Sequence, residues 1–183
     1  MQYLKIPLER IPVLIGEKGS VKRQIEKDTC TKIGIADTSV TVESTEGNSM
    51  NELVASNMVL AIGRGFNPDI AIMLRNDEYT LEVIHLSDYA NTPKAFDRIK
   101  SRVIGVSGKA RKNIEDISSA HISVYGKTIA ILGSFDDIAL AKQAVLMLIE
   151  GARHATVYRF LERTKAAERE TPWSGKYPEN LKP

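Results

Sequence analysis

Apolar and polar positions fall into the same order twice along this chain. Residues 11 to 26, IPVLIGEKGSVKRQIE, place an apolar run before two glycines three apart, then a basic, helix-like stretch. The pattern predicts a helix, a tight turn and a second helix. Val40-Thr-Val42 is a β-like run, and Ser49-x-x-Glu52 reads as a capped helix start whose apolar pattern stops at Gly65. The second half repeats this. RVIGVSGKARKNIE, residues 102 to 115, carries the glycine pair, and Ile122, Val124, Thr128 and Ala130 predict a hairpin around Gly126-Lys127. Thr128-Ile-Ala-Ile131 then leads into Ser134-x-x-Asp137 and a helix ending at Gly151. First strands are expected at Tyr3–Ile6 and Thr80–His85.

A shift of 89 residues superposes the two loops without a gap. Ile104-Gly105 falls on Ile15-Gly16, Gly108 on Gly19, and Arg111-Lys112 on Lys22-Arg23. Ile114-Glu115 falls on Ile25-Glu26, and Ile122 and Val124 fall on Ile33 and Ile35. Each copy therefore predicts strand, helix, Gly-x-x-Gly, helix, strand, strand, helix. FNPDIAIMLRNDE separates the copies, with Pro68 and then a polar cluster from Arg75 to Glu78. The expected domains are 1–76 and 77–153. An amphipathic helix through Val157, Phe160, Leu161 and Thr164 is expected over 154–170. The last stretch, 171–183, has three prolines and no periodicity, and is expected to be an extended or disordered tail.

Composition narrows the class. With 43% hydrophobic and 26% charged residues in 183, the balance is that of an ordinary soluble globular protein. Its longest apolar runs fall far short of the roughly 20 residues that a membrane span needs. The N-terminus lacks a signal-peptide layout, and a cytoplasmic setting is expected. One cysteine, Cys30, excludes an intramolecular disulfide and a thiolate zinc cluster, and is expected to be a small half-buried residue. Charge is unevenly spread. Residues 1–93 carry nine Lys/Arg against thirteen Asp/Glu, a net −4; residues 94–183 carry sixteen against ten, a net +6. A polyanion is expected to meet the second half.

The glycine pairs then acquire a chemistry. Glycine lets backbone approach backbone, and the following helix offers unpaired N–H groups to a phosphate. Lys109, Arg111 and Lys112 follow the second loop; Lys18, Lys22 and Arg23 accompany the first. Residues 98–112 hold six Lys/Arg and no acid. A nucleotide P-loop needs four residues between its glycines and a Lys-Ser/Thr pair. Here two residues intervene, and Ala110 follows Lys109. His85, His121 and His154 stand in no metal-ligand spacing, and no nucleophile elbow is present. An enzyme, a metal site and a cofactor are not expected. His154, beside Arg153, is a weaker candidate phosphate contact.

The element order with its Gly-x-x-Gly loop is that of the KH module, whose loop clamps about four nucleotides of single-stranded nucleic acid. The expected fold class is α+β, two tandem type I KH domains (βααββα) with an extra C-terminal helix and an extended tail. The expected RNA contacts are Gly105, Val106, Ser107, Gly108, Lys109, Arg111, Lys112 and Arg102. The first copy adds Gly16, Glu17, Lys18, Gly19, Lys22 and Arg23. Ile114, Ile122 and Val124 are candidates to line a base groove, or else core.

RVIGVSGKARKNIE, TIAILGSFDDIALAKQAV and LIEGARHATVYRFLE together resemble the archaeal Pno/Dim family of tandem-KH proteins. These are relatives of the eukaryotic pre-rRNA processing factor called partner of Nob. The resemblance implies binding of single-stranded small-subunit rRNA near its 3′ end and association with the endonuclease that trims that end. A link to translation-initiation components follows from that location as conjecture. Val106-Ser107 departs from the basic pair common in KH loops, and Glu17 puts an acid inside the first. A phosphate clamp, a protein contact and a structural turn thus remain open for each loop, and the flanking basic residues favour the second copy for RNA. The alternative is a protein-interaction scaffold of the translation or ribosome machinery, suggested by the acidic first half, Glu17, Trp173 and Tyr177.

Overall fold

The computed structural model describes residues 1–170. The tail over 171–183, with Trp173 and Tyr177, lies outside the described residues. The first copy runs β1 (Gln2–Lys5), α1 (Ile11–Ile15), α2 (Ser20–Thr29), β2 (Thr31–Ala36), β3 (Ser39–Ser44) and α3 (Ser49–Gly63). A short α4 (Pro68–Ala71) and a 3-10 turn at Ile72–Arg75 lead onward. The second copy runs β4 (Tyr79–His85), α5 (Pro93–Ile104), α6 (Lys109–Ser118), β5 (His121–Tyr125), β6 (Thr128–Ser134) and α7 (Phe135–Glu150), and α8 (His154–Glu170) follows. The architecture is α+β, with two KH-type βααββα units. Each has an antiparallel three-stranded sheet with its last strand in the middle, β1-β3-β2 and β4-β6-β5.

Local chemistry explains most boundaries. Two-residue turns close both hairpins, with Asp37 (φ 52) and Gly126 (φ 57) supplying the positive φ such turns need. Ser134 caps α7 by accepting from the Asp137 N–H at 3.3 Å. The first copy departs from the expected Ser49 cap. Asn48 is the cap, its Oδ1 accepting from the Met50 N–H at 3.0 Å. Glu52 instead accepts from the Ser44 N–H at 2.9 Å, tying the helix to the end of β3. That helix stops at Gly63, two residues before the expected Gly65, which takes φ +100 in the following turn. Cys30 is exposed rather than half-buried, because it caps α2 in a left-handed conformation with its side chain turned outward.

The two sheets are buried differently. β3 alternates, with Val40 and Val42 buried on one face, and Tyr3, Lys32 and Gly34 leave the opposite face of the first sheet open. In β6, six of seven residues are buried. Ile129 and Ile131 join Ile84, Ile122 and Ile114 in the core of the second copy. Ala130 and Leu132 point the other way, into a cluster with Phe66, Leu74 and the first copy's core, flanked by Leu81 and Val83. The second sheet is thus a shared layer between its own helices and the first copy. Burying a Leu or Val side chain contributes about 1.5–3 kcal/mol, so this face joins the copies firmly. α8 packs on α6 and α7 through fully buried Val157 and Leu161. No helix among the described residues is long and apolar enough to cross a membrane.

Candidate nucleic-acid interface

The two glycine loops share one backbone. Gly16 and Gly105 both take φ 72, with ψ 178 and 177. Lys18 (φ 50, ψ 28) and Ser107 (φ 53, ψ 29) are left-handed non-glycine residues at matched positions. Gly19 (φ 78, ψ 20) and Gly108 (φ 76, ψ 7) start the next helix. The glycines serve different needs. A Cβ on Gly105 would sit 2.5 Å from the Ala110 Cβ and 2.8 Å from its backbone nitrogen, whereas one on Gly108 would meet nothing within 4 Å. The first glycine is demanded by the protein's own packing; the second leaves open space above the loop.

Matched hydrogen bonds close the helix after each loop and tie it to its sheet. The Glu26 and Glu115 carboxylates accept from the Ile33 and Ile122 N–H groups at 2.8 and 2.7 Å, pinning each following strand to its helix. Thr29 and Ser118 hydroxyls donate to the Ile25 and Ile114 carbonyls, each at 2.7 Å.

The basic residues have different fates. Lys22 and Arg111 each lie beside the glutamate one turn on, at 3.8 and 3.6 Å. Arg23 folds back on its own loop, donating to the Lys18 and Gly19 carbonyls at 2.6 and 3.1 Å. Its counterpart Lys112 is exposed with no ion pair among the described residues, as is Lys109. Arg102, expected on the phosphates, is instead half-buried. Its Nε and Nη2 donate to the Leu148 and Ala152 carbonyls at 3.0 and 2.6 Å. Leu148 lies in the last turn of α7, where its oxygen also accepts from the capping Gly151 N–H at 3.2 Å, and Ala152 follows the helix, so the guanidinium is spent on closing this end. Arg10 does the same in the first copy, at the Ile62 and Phe66 carbonyls (2.8 and 2.6 Å). His154 is also structural. Its Nε2 lies 2.8 Å from the Arg102 carbonyl oxygen, which only accepts, so the ring donates and braces α5 where it meets the loop.

Ser107, Gly108, Arg111 and Lys112 do come together, along one depression of about 490 Å³ that runs down α6 to His121. Ile114 is fully buried in the core, Ile122 is 3% exposed and forms part of the wall of a second depression beside Phe66 and Asn67, and Val124 is half-buried. Val106 projects from the loop tip, 82% exposed. In the first copy Glu17 and Lys18 are both exposed at that tip. His121 lines the depression but was invisible to motif reasoning, because nothing in its spacing singles it out.

The edge strand β5 meets the first copy. The Ser123 hydroxyl donates to the Arg64 carbonyl at 2.8 Å. The Tyr125 hydroxyl bonds the Glu9 carboxylate, and the Arg10 guanidinium lies 5.8 Å from the Tyr125 ring centre. Burial, and then the Glu9 carboxylate, raise the Tyr125 phenol above its ordinary range. Among the described residues, no group of three or more His, Cys, Asp or Glu is placed to hold a metal.

Comparison with known proteins yields the same fold in both halves. Residues 80–166 match a eukaryotic-type KH domain (type I), that of the second KH domain of PNO1, and residues 1–58 match the general KH domain. A KH domain-containing protein of Methanocaldococcus jannaschii is 49% identical over 168 residues, covering 90% of this chain and 74% of that protein. The pre-rRNA-processing protein PNO1 of Chaetomium thermophilum is 28% identical, covering 86% of this chain and 66% of its own. Dim2p of Pyrococcus horikoshii is 45% identical with a TM-score of 0.83, covering 88% of this chain and 98% of Dim2p. A complex of Dim2p with a/eIF2α and rRNA from the same organism contains a chain at 45% identity and TM-score 0.85, covering 91% and 94%.

Proposed function

The chain belongs to the KH-domain family of archaeal Dim2p and PNO1, and from that premise we propose that it binds single-stranded small-subunit rRNA near the 3′ end as a non-enzymatic maturation factor. The second copy is the principal clamp. Its loop has the same backbone as the first, but its tip carries no acid and Lys109 and Lys112 remain available beside it. That difference carries the reading. The first loop has Glu17 at its tip and Arg23 folded onto its carbonyls, which leaves it less to offer a phosphate. The names of PNO1 and of the Dim2p–rRNA complex support an rRNA ligand. In this reading the copies divide near Asn76, and the rRNA 3′-end endonuclease acts beside the bound strand.

The test is binding of a fluorescent small-subunit rRNA 3′-end oligonucleotide. Val106→Asp combined with Ser107→Asp adds two carboxylates at the tip, and aspartate tolerates the left-handed conformation at 107. Each carboxylate about 5 Å from a phosphate costs about 1 kcal/mol even in water, so affinity drops about tenfold or more. Removing Lys109 and Lys112 lowers the salt slope by about 0.7 each. Unchanged affinity in a folded variant overturns the reading.

A scaffold reading has two supports. Met1, Tyr3, Met50 and Leu53 are exposed apolar side chains of the first copy, at 57%, 74%, 61% and 47%. Dim2p forms a complex with a/eIF2α and rRNA, which supports a protein partner on the same chain. A salt-independent RNA signal would favour that reading.

A further inference from the structure

The depression along α6 does not end within the second copy. Its Arg111, Glu115 and His121 wall is shared with a second depression of about 270 Å³, whose far side is Phe66, Asn67 and Ile70 of the first copy. From Gly108 to Glu115 is roughly 10 Å along the helix axis at 1.5 Å per residue. A strand held at the loop therefore reaches this second space with its next nucleotides.

Two features suggest a built surface here. The chain after α3 lies tightly on the β5 edge: a Cβ on Gly65 would fall 2.6 Å from the Ser123 Oγ and 3.0 Å from the Tyr125 Cβ. With Ser123 bonded to the Arg64 carbonyl, the register between the copies is fixed at this point. Arg111, Glu115 and Ser123 on its walls are already bonded, whereas the Asn67 side chain is exposed. Asn67 precedes α4, and its backbone carbonyl takes the Ile70 and Ala71 N–H groups, but its side chain makes no cap bond. An exposed carboxamide beside half-buried Ile70 offers a donor, an acceptor and an apolar floor. Arg64, at the same junction, has a buried Nε with no hydrogen-bond partner among the described residues.

We propose that an RNA strand clamped at Ser107-Gly108 continues past Arg111 and His121 into this space, where Asn67 of the first copy hydrogen-bonds the edge of a nucleobase. Unstacked bases of single strands are read on such edges by side-chain amides and seated on apolar surface. The first copy thus contributes to recognition through the turn between α3 and α4. This rests on the RNA reading of the second loop.

The experiment uses the full chain, a tetranucleotide and an octanucleotide from the same rRNA sequence. Asn67→Ala is expected to weaken the octamer about five- to tenfold and to leave the tetramer unchanged. Val106→Asp with Ser107→Asp weakens both. If Asn67→Ala leaves the octamer unchanged while the loop variant weakens it, the inference falls and the clamp stands. If Asn67→Ala weakens both oligonucleotides equally, Asn67 acts on the fold and the inference also falls. If the loop variant changes neither, both readings fall together.

Discussion

Replacing the two glycines of the second loop by alanine, one at a time, separates what the protein needs from what its ligand needs. Gly105, at φ 72 and ψ 177, occupies a region populated essentially by glycine, where a side chain costs about 1–3 kcal/mol. The new methyl would also lie 2.5 Å from the Ala110 Cβ, on a helix start that has no free side chain to move away. Overpacking of that kind adds about 1–3 kcal/mol. Gly108 is merely left-handed, at φ 76 and ψ 7, worth about 1–2 kcal/mol with an unobstructed methyl. Alanine returns about 0.4–1 kcal/mol in both cases by restricting the unfolded chain. The net losses are about 3 kcal/mol for Gly105→Ala and under about 1 for Gly108→Ala. With a urea slope of about 2–3 kcal/mol per molar, the midpoints separate by about 1 M. Equilibrium urea unfolding followed by circular dichroism reads this directly, and RNA titration of the same samples completes it. Gly108→Ala should lose affinity out of proportion to stability, because its methyl occupies the space above the loop. Equal midpoints, or a milder Gly105→Ala, would refute the reasoning.

Arg102→Ala removes two charge-assisted bonds, each worth about 1.5–3 kcal/mol. Stability should fall by about 3–6 kcal/mol while the folded variant binds RNA within twofold of the parent; a large affinity loss would return Arg102 to the ligand. Leu132→Ala should cost about 2–5 kcal/mol, because the side chain is fully buried between the copies. A loss below about 1 kcal/mol in thermal unfolding would show that this face is loosely packed. Tyr125 has its folded-state pKa raised. Its contribution is therefore complete below the unfolded value of about 10 and is lost as pH rises through the folded one. The melting temperature of the parent should fall more steeply than that of Tyr125→Phe above pH about 10, and parallel curves would contradict the assignment.

The loops were legible because they occur twice. A single Gly-x-x-Gly is ambiguous, but matched glycines, basic pairs and Ile-Glu pairs at one spacing left one element order, and the order implied the fold. The roles within the loops were harder to see. Arg102 reads as a phosphate ligand because it stands three residues before Gly105, yet its partners lie 46 and 50 residues away. Position along the chain does not reveal an acceptor that only folding brings near. Arg10 shows the same limit, since it serves the matching carbonyls from an unmatched position in its own copy. Glu26 and Glu115 were matched in sequence, but their role as acceptors for the next strand needed the strand in place. In β6 the uninterrupted Ile129-Ala-Ile-Leu132 carried a signal of two-sided burial that Val40-Thr-Val42 lacks. The identity of the second covering layer became visible only in three dimensions.

That shared layer has a consequence for synthesis. Leu132 follows Leu74 by 58 positions, and at about 5–20 residues per second the interval between them is about 3–12 s. Throughout it, the first copy has emerged with an apolar face awaiting a cover that has not been made. The duplication therefore did not yield two independent beads on a string. It yielded a first half whose last surface is completed by a later strand, so premature termination between the copies leaves a fragment bound for aggregation or proteolysis.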